Sequence, residues 1–184
     1  MNRPAQQFKE ATERLDRLVR EASVTEDEEM REVLLTFVVI KLHDQWDLES
    51  YQIVLKSYGR SDQEMIESLR YSWGQKPQKK DWKIAWHAPV EAIRAAEKLN
   101  VPDFVQIRDA LGSVTCADDL SWTRNAIVHS ASTELSRYKG MALDKYFLQD
   151  VAPYRLPIET NAATGNLIYE DWRNELGIAL QLAL

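Results

Sequence analysis

The sequence predicts an all-α fold, on three observations. Apolar residues recur three and four positions apart through most of the 184 residues, which is the period of helices that bury one face. Two of these runs open on a Ser or Thr followed three residues later by Glu, at Thr25 and Ser61, the pattern of a capping box. No alternating apolar and polar series of strand type occurs, and no internal repeat or low-complexity tract interrupts the chain. A hydrophobic content of 45% with 28% charged residues suits a packed globular core, and the length fits one domain spanning residues 1–184.

The elements follow in chain order. Pro4 to Arg20 reads as a polar amphipathic helix with a thin stripe of Phe8, Leu15 and Leu18. Thr25 and Glu28 then box the start of a long helix through Val33, Leu34, Phe37, Val38 and Leu42, ending near Gly59. From about Glu26 to Tyr58 it would extend about 45 to 50 Å, and a helix of that length needs neighbours along all of it. Ser61 and Glu64 open a short helix through Met65, Ile66 and Leu69 that stops by Gly74. A loop with Pro77 and three lysines comes next. Pro89, at a first-turn position, starts a helix through Val90, Ile93 and Leu99, and Pro102 starts another through Phe104, Val105 and Leu111 to Gly112. Asp118 or Asp119 can cap the helix after that. Tyr154 to Asn166 contains Pro157, Gly165 and Asn166 and reads as a loop or small hairpin. Trp172, Leu176, Ala179, Leu180 and Ala183 return to helical spacing. Together these make a helical bundle with one small irregular or hairpin segment near the C-terminus.

Composition excludes several function classes. No apolar stretch approaches the roughly 18 residues of a membrane span, and the first residues lack the pattern of a secretory signal. Cys116 is the only cysteine, so an internal disulfide is impossible and a reducing cytoplasm is the expected location. A formal net charge of −6 argues against coating nucleic acid non-specifically, which depends on many Lys and Arg contacts with phosphates. Any RNA contact must therefore be local. Three histidines and one cysteine give no zinc-ligand spacing, and no Gly-rich phosphate loop is present, so neither a metal nor another cofactor is expected.

The chemistry concentrates in Arg124-Asn125-Ala126-Ile127-Val128-His129. On an ideal helix Leu120, Arg124, Ile127 and Ala131 share a narrow stripe, which puts a permanent cation where its neighbours mark burial or an interface. His129 follows Arg124 by five residues, roughly 140° round the helix, whereas Asn125 lies four before it on a shared face and can orient the imidazole. Arg124 reaches His129 only if its long side chain wraps, or if a second copy of the helix supplies the partner. A guanidinium beside a neutral imidazole suits metal-free cleavage of a phosphodiester. The histidine takes a proton from a ribose 2′-hydroxyl and the arginine meets the charge growing on the phosphate. An ordinary salt-bridging Arg with a surface His is the plain alternative.

Other candidates are weaker. Lys76, Lys79 and Lys80, flanked by Trp73 and Trp82, combine backbone-binding charge with stacking surface for single-stranded RNA. A solvated turn with inward-packed tryptophans fits the same residues. His43 and Asp44 read as a structural His with a capped or paired Asp, and His87-Ala88-Pro89 as a helix entry.

The hexapeptide resembles the signature of the HEPN superfamily, whose ribonuclease members carry an Arg, a polar residue, three or more variable residues and a His. Leu42-His43-Asp44-Gln45-Trp46, running on to Tyr51-Gln52-Ile53-Val54-Leu55-Lys56-Ser57, is similar to the long early helix of the RiboL-PSP-HEPN branch. Thr164-Gly165-Asn166 leading to Trp172 and Leu176 is similar to its C-terminal region. The resemblance runs from about Met30 onward, and the Arg124 to His129 motif is its specific part. It implies a homodimer with motif helices facing each other and metal-independent endonucleolytic cleavage that leaves a 2′,3′-cyclic phosphate and a 5′-hydroxyl. Arg124, Asn125 and His129 would be the catalytic residues. It further implies a toxin or defence role, with an antitoxin or nucleotidyltransferase partner. A catalytically silent domain that binds a nucleotide or a partner protein is the alternative within the same superfamily.

Overall fold

The computed structural model describes residues 3–73, 83–129 and 131–184. These form eight α-helices, a single 3-10 turn and one isolated antiparallel bridge, so the chain is an all-α bundle as its apolar spacing requires. The helices are α1 (Arg3–Val24), α2 (Glu28–Tyr58), α3 (Asp62–Ser72), α4 (Pro89–Leu99), α5 (Phe104–Gly112), α6 (Ala117–His129), α7 (Ser132–Tyr146) and α8 (Ile168–Leu182).

The organising element is α2, whose 31 residues extend about 46 Å. It packs against α1, α3, α4, α6 and α8, which supplies the neighbours a helix of that length needs. Val38, Leu42, Trp46, Ile53 and Val54 line its buried faces. The start of α2 differs from the expected Thr25–Glu28 box. Asp27 is the N-cap and its carboxylate accepts from the Met30 amide at 3.1 Å, a better complement to the helix dipole than a neutral hydroxyl. Thr25 instead accepts from the Asp27 amide. The helix stops at Gly59, which adopts φ 70° and donates its amide to the Leu55 carbonyl. That left-handed cap favours glycine.

The Ser61 box forms as expected. Ser61 Oγ accepts from the Glu64 amide, and the Glu64 carboxylate accepts from the Ser61 amide. Pro89 opens α4, but Pro102 lies in the turn before α5, which begins at Phe104 after Asp103. Asp118 and Asp119 fall inside the first turn of α6 rather than at its cap. The sequence reading did not anticipate α7, in which Tyr138, Met141, Ala142 and Tyr146 are buried at helical spacing. Between α7 and α8 the 3-10 turn Leu156–Ile158 is followed by the bridge from Thr160 to Leu167. Asp171 ties that loop together by accepting from Asn161, Thr164 and Asn166.

Candidate active site

The motif helix α6 is anchored at its N-terminal end. The Glu175 carboxylate of α8 accepts from the amides of Thr115 and Cys116, satisfying groups that an uncapped helix leaves open. Asp119 points inward, where it accepts from the Lys145 ammonium and, at 2.8 Å, from the Tyr146 hydroxyl. Trp172 of α8 in turn donates to that hydroxyl at 2.9 Å. Burial pushes the Asp119 carboxyl up, although Lys145 and Tyr146 both oppose the shift. This chain of polar contacts locks α6 to α7 and α8 and fixes the rotation of the helix that carries Arg124.

Arg124 occupies the buried-side stripe expected of it, between Leu120 and Ile127. Ala131 does not share the stripe, because α6 ends at His129 and Ala131 is the N-cap residue of α7. The arginine side chain wraps along its own helix. One nitrogen, Nη1, donates to Asn125 Oδ1 at 3.0 Å and lies 3.3 Å from His129 Nε2. The wrap corrects one expectation: Asn125 holds the guanidinium rather than the imidazole, and the two motif ends meet without a second copy. Because a guanidinium can only donate, the His129 contact is a hydrogen bond when Nε2 carries the lone pair and Nδ1 the proton. Arg124 Nε is buried and has no hydrogen-bond partner among the described residues. Such an orphaned donor is costly without a ligand.

A second cluster of polar side chains comes from α2 and from the segment before α4. Trp46 donates its indole N–H to the His87 carbonyl at 2.8 Å, and Asp47 Oδ1 accepts from the His87 amide at 2.8 Å. Asp47 Oδ1 also lies 3.1 Å from His87 Nδ1. Tyr51 meets Trp86 edge-on at 5.2 Å. Three contacts from one helix thus pin His87 in place, with a fourth holding its neighbour Trp86, and the His87 ring centroid lies 4.5 Å from that of His43. His43, Asp47 and His87, with Asp44 and Lys83, border a cavity of about 340 Å³.

The charge of Arg124 is felt within this cluster. Burial first, then the charges of His87 and Arg124, hold His43 down to about 4, against opposing influence from Asp47 and Asp44. The guanidinium of α6 is therefore close enough to act on a histidine of α2. Partial burial would raise the Asp47 carboxyl, but hydrogen bonds from the His87 side chain and backbone, with the charges of His87 and His43, outweigh it and hold the group below the usual carboxylate range. His43 Nδ1 is buried without a hydrogen-bond partner, and its closest carboxylate oxygen, on Asp44, is 4.0 Å away.

Sequence reasoning treated His43 as structural and His87 as a helix entry, and it passed over Asp47. The one signal available was the four-residue spacing of His43 and Asp47 on the long helix, which gives them a common face. Lys76, Lys79, Lys80 and Trp82, the candidate RNA contacts, lie outside the described residues, and Trp73 packs half-buried against the core. Among the described residues no group of three or more His, Cys, Asp or Glu side chains is placed to hold a metal ion, nor is any helix long and apolar enough to cross a membrane. No protein-family model, curated protein or solved structure matches the chain.

Proposed function

We propose that this protein is a metal-independent endoribonuclease of the HEPN type that cleaves single-stranded or loop RNA. The observation that carries the reading is the shared nitrogen of Arg124, which bonds Asn125 Oδ1 and approaches His129 Nε2 while Nε of the same guanidinium is buried and unpartnered. A phosphate oxygen is the natural acceptor for such a donor, since guanidinium and phosphate pair through two parallel hydrogen bonds. A scissile phosphate competing for Arg124 draws Nη1 from His129 and frees the Nε2 lone pair. His129 then removes the 2′-hydroxyl proton, the 2′-oxygen attacks phosphorus, and Arg124 stabilises the charge that grows on the non-bridging oxygens. The products carry a 2′,3′-cyclic phosphate and a 5′-hydroxyl.

The same reading places the protein in the cytoplasm as a toxin or defence effector, held in check by an antitoxin or nucleotidyltransferase partner. Pairing of two copies through α6 would cover Val128, an apolar side chain 44% exposed beside His129. Purified protein incubated with a defined single-stranded RNA should cut it equally with and without chelator and leave the two product ends named above. His129→Ala should abolish cleavage, a loss of at least about 100-fold for a removed proton-transfer group, with helical circular dichroism unchanged. Induced expression should arrest growth with the native residue and not with the variant. Undiminished RNA cleavage by pure His129→Ala protein refutes the role of that residue. A native protein that binds nucleotide and never cleaves leaves the silent binding domain as the better description.

A further inference from the structure

The ribonuclease reading leaves a buried carboxylate of α2 without a task. Glu49 is 1% exposed. Its Oε1 accepts from Gln45 Nε2 at 2.6 Å, and its Oε2 is buried with no hydrogen-bond partner among the described residues. Burial pushes the carboxyl up, against the Gln45 hydrogen bond and the charge of Arg3. A glutamine or an apolar residue would fill the position at less cost, so a half-satisfied acid there calls for a ligand. The room for one is beside it. Glu49 lines a cavity of about 460 Å³ with Gln52 and Lys56 of α2 and Arg3 and Gln7 of α1, a volume within the range of small-molecule sites. This cavity shares no residue with the Arg124 to His129 motif or with the cavity beside His87.

We propose that this cavity binds guanosine monophosphate, with the guanine edge on Glu49 and the phosphate on Lys56 and Arg3. Helical spacing sets the order of groups. Glu49, Gln52 and Lys56 are three and then four residues apart, so they form one row along α2, and two turns, about 10.5 Å, separate the acid from the lysine. Arg3 and Gln7, four apart on α1, form the facing row. The acid is buried, whereas both cations are exposed. A simple cation is therefore repelled at the mouth, and a simple anion meets a carboxylate at the floor. The ligand that satisfies both ends presents N–H donors at one end and a negative charge about two helical turns away. An amino acid is too short, because its ammonium and carboxylate share one carbon. A nucleotide has the length. Of the four RNA bases only guanine presents two parallel donors, N1–H and an amino N–H, to the two oxygens of a carboxylate. Adenine and cytosine place an acceptor beside their single amino group, and uracil flanks its N–H with two carbonyls. Oε2 is free to accept, and Oε1 keeps a second lone pair beside the one that Gln45 uses. Pro4 and Leu48, also in the lining, give the faces of the base apolar contact. The guanidinium of Arg3 and the ammonium of Lys56 then pair with phosphate oxygens.

Titration calorimetry of the full chain with GMP and with AMP tests the site. The native protein should bind GMP, and should bind AMP, which has the same phosphate, at least about tenfold more weakly, the cost of a lost hydrogen bond to a charged group. Glu49→Gln keeps the shape of the side chain but turns a donor toward guanine, so its affinity for GMP should fall at least about tenfold while that for AMP changes little. Lys56→Met, at an exposed position, should weaken GMP and AMP together, and it provides the readout if Glu49→Gln fails to fold. GMP should also raise the melting temperature of the native protein and not that of Glu49→Gln. Absence of GMP binding at millimolar concentration, equal affinity for GMP and AMP, or native GMP affinity in either variant overturns the proposal. RNA cleavage does not enter the test, so the ribonuclease reading stands or falls separately.

Discussion

Replacing His43 with Gln should flatten the acid limb of the stability curve, and the size of the effect follows from where the ring sits. His43 is 8% exposed on α2, and burial, with the charges of His87 and Arg124, lowers it from 6.5 to about 4. The unfolded chain therefore takes up this proton as the pH falls below 6.5, and the folded chain takes it up only near 4. Between those values the unfolded state binds more protons, so stability falls as the pH falls. At about 1.4 kcal/mol for each tenfold change in proton affinity, the loss amounts to about 3 kcal/mol. His43→Gln keeps a polar side chain and cannot acquire the charge. Urea unfolding at intervals from pH 7.5 to pH 4 should show the native protein losing about 3 kcal/mol more than the variant, with the difference concentrated below pH 6.5. Carboxylate titrations common to both proteins cancel in the comparison. Parallel curves would mean that His43 titrates normally and that no hostile field surrounds it.

Two other perturbations read neighbouring parts of the structure. Arg124→Met removes a charge that depresses His43, so the His43 ring, followed by its carbon-bound proton resonances, should titrate at a higher pH than in the native protein; an unmoved titration would separate α6 from α2 electrostatically. Ser61→Ala removes the hydroxyl that caps α3 and should cost about 1 kcal/mol in thermal or urea unfolding, and an unchanged midpoint would show that Glu64 and solvent carry the cap alone.

What the sequence made legible was whatever depends on near neighbours. The Ser61 box, the glycine stop at position 59 and the proline start of α4 are each decided within four residues, and all three appear in the structure. Where two local candidates compete, pattern alone does not rank them. Thr25 with Glu28 matches the Ser/Thr–Glu pattern, yet Asp27 offers a charged acceptor in the right place and caps the helix. Asp119 looked like a cap because its destination, a lysine and tyrosine some 26 and 27 positions away, is invisible to local pattern. The omission of α7 has a similar cause, because Gly140 and the polar residues around it dilute a buried stripe that only the contact with α6 makes worthwhile. The site divides along the same line. The Arg124 to His129 motif could be seen because its parts lie on one helix, and its wrapping geometry was one of two stated options. The His43, Asp47 and His87 cluster depends on the 83–88 segment crossing α2 about 40 residues away from Asp47 in sequence, which no spacing rule encodes.

The placement of Arg124 makes little sense as a device for stability. The side chain forms no ion pair among the described residues, its Nε is buried without a partner, and its charge works against protonation of His43. Half-burying a cation under those terms is unfavourable, and an apolar residue of similar length would avoid the desolvation. By contrast, Asp119, which is more deeply buried, is supplied with a lysine, a tyrosine and an indole behind it, which is how this fold treats a charge it needs for packing. The difference between the two sites implies that Arg124 is retained for a partner that is not part of the chain. Its replacement by Met should therefore leave the melting temperature unchanged or raise it while removing the activity, the trade expected where a functional group is held against the preferences of the fold. A large drop in melting temperature would instead make Arg124 a structural residue and remove the main physical ground for an anion at this site.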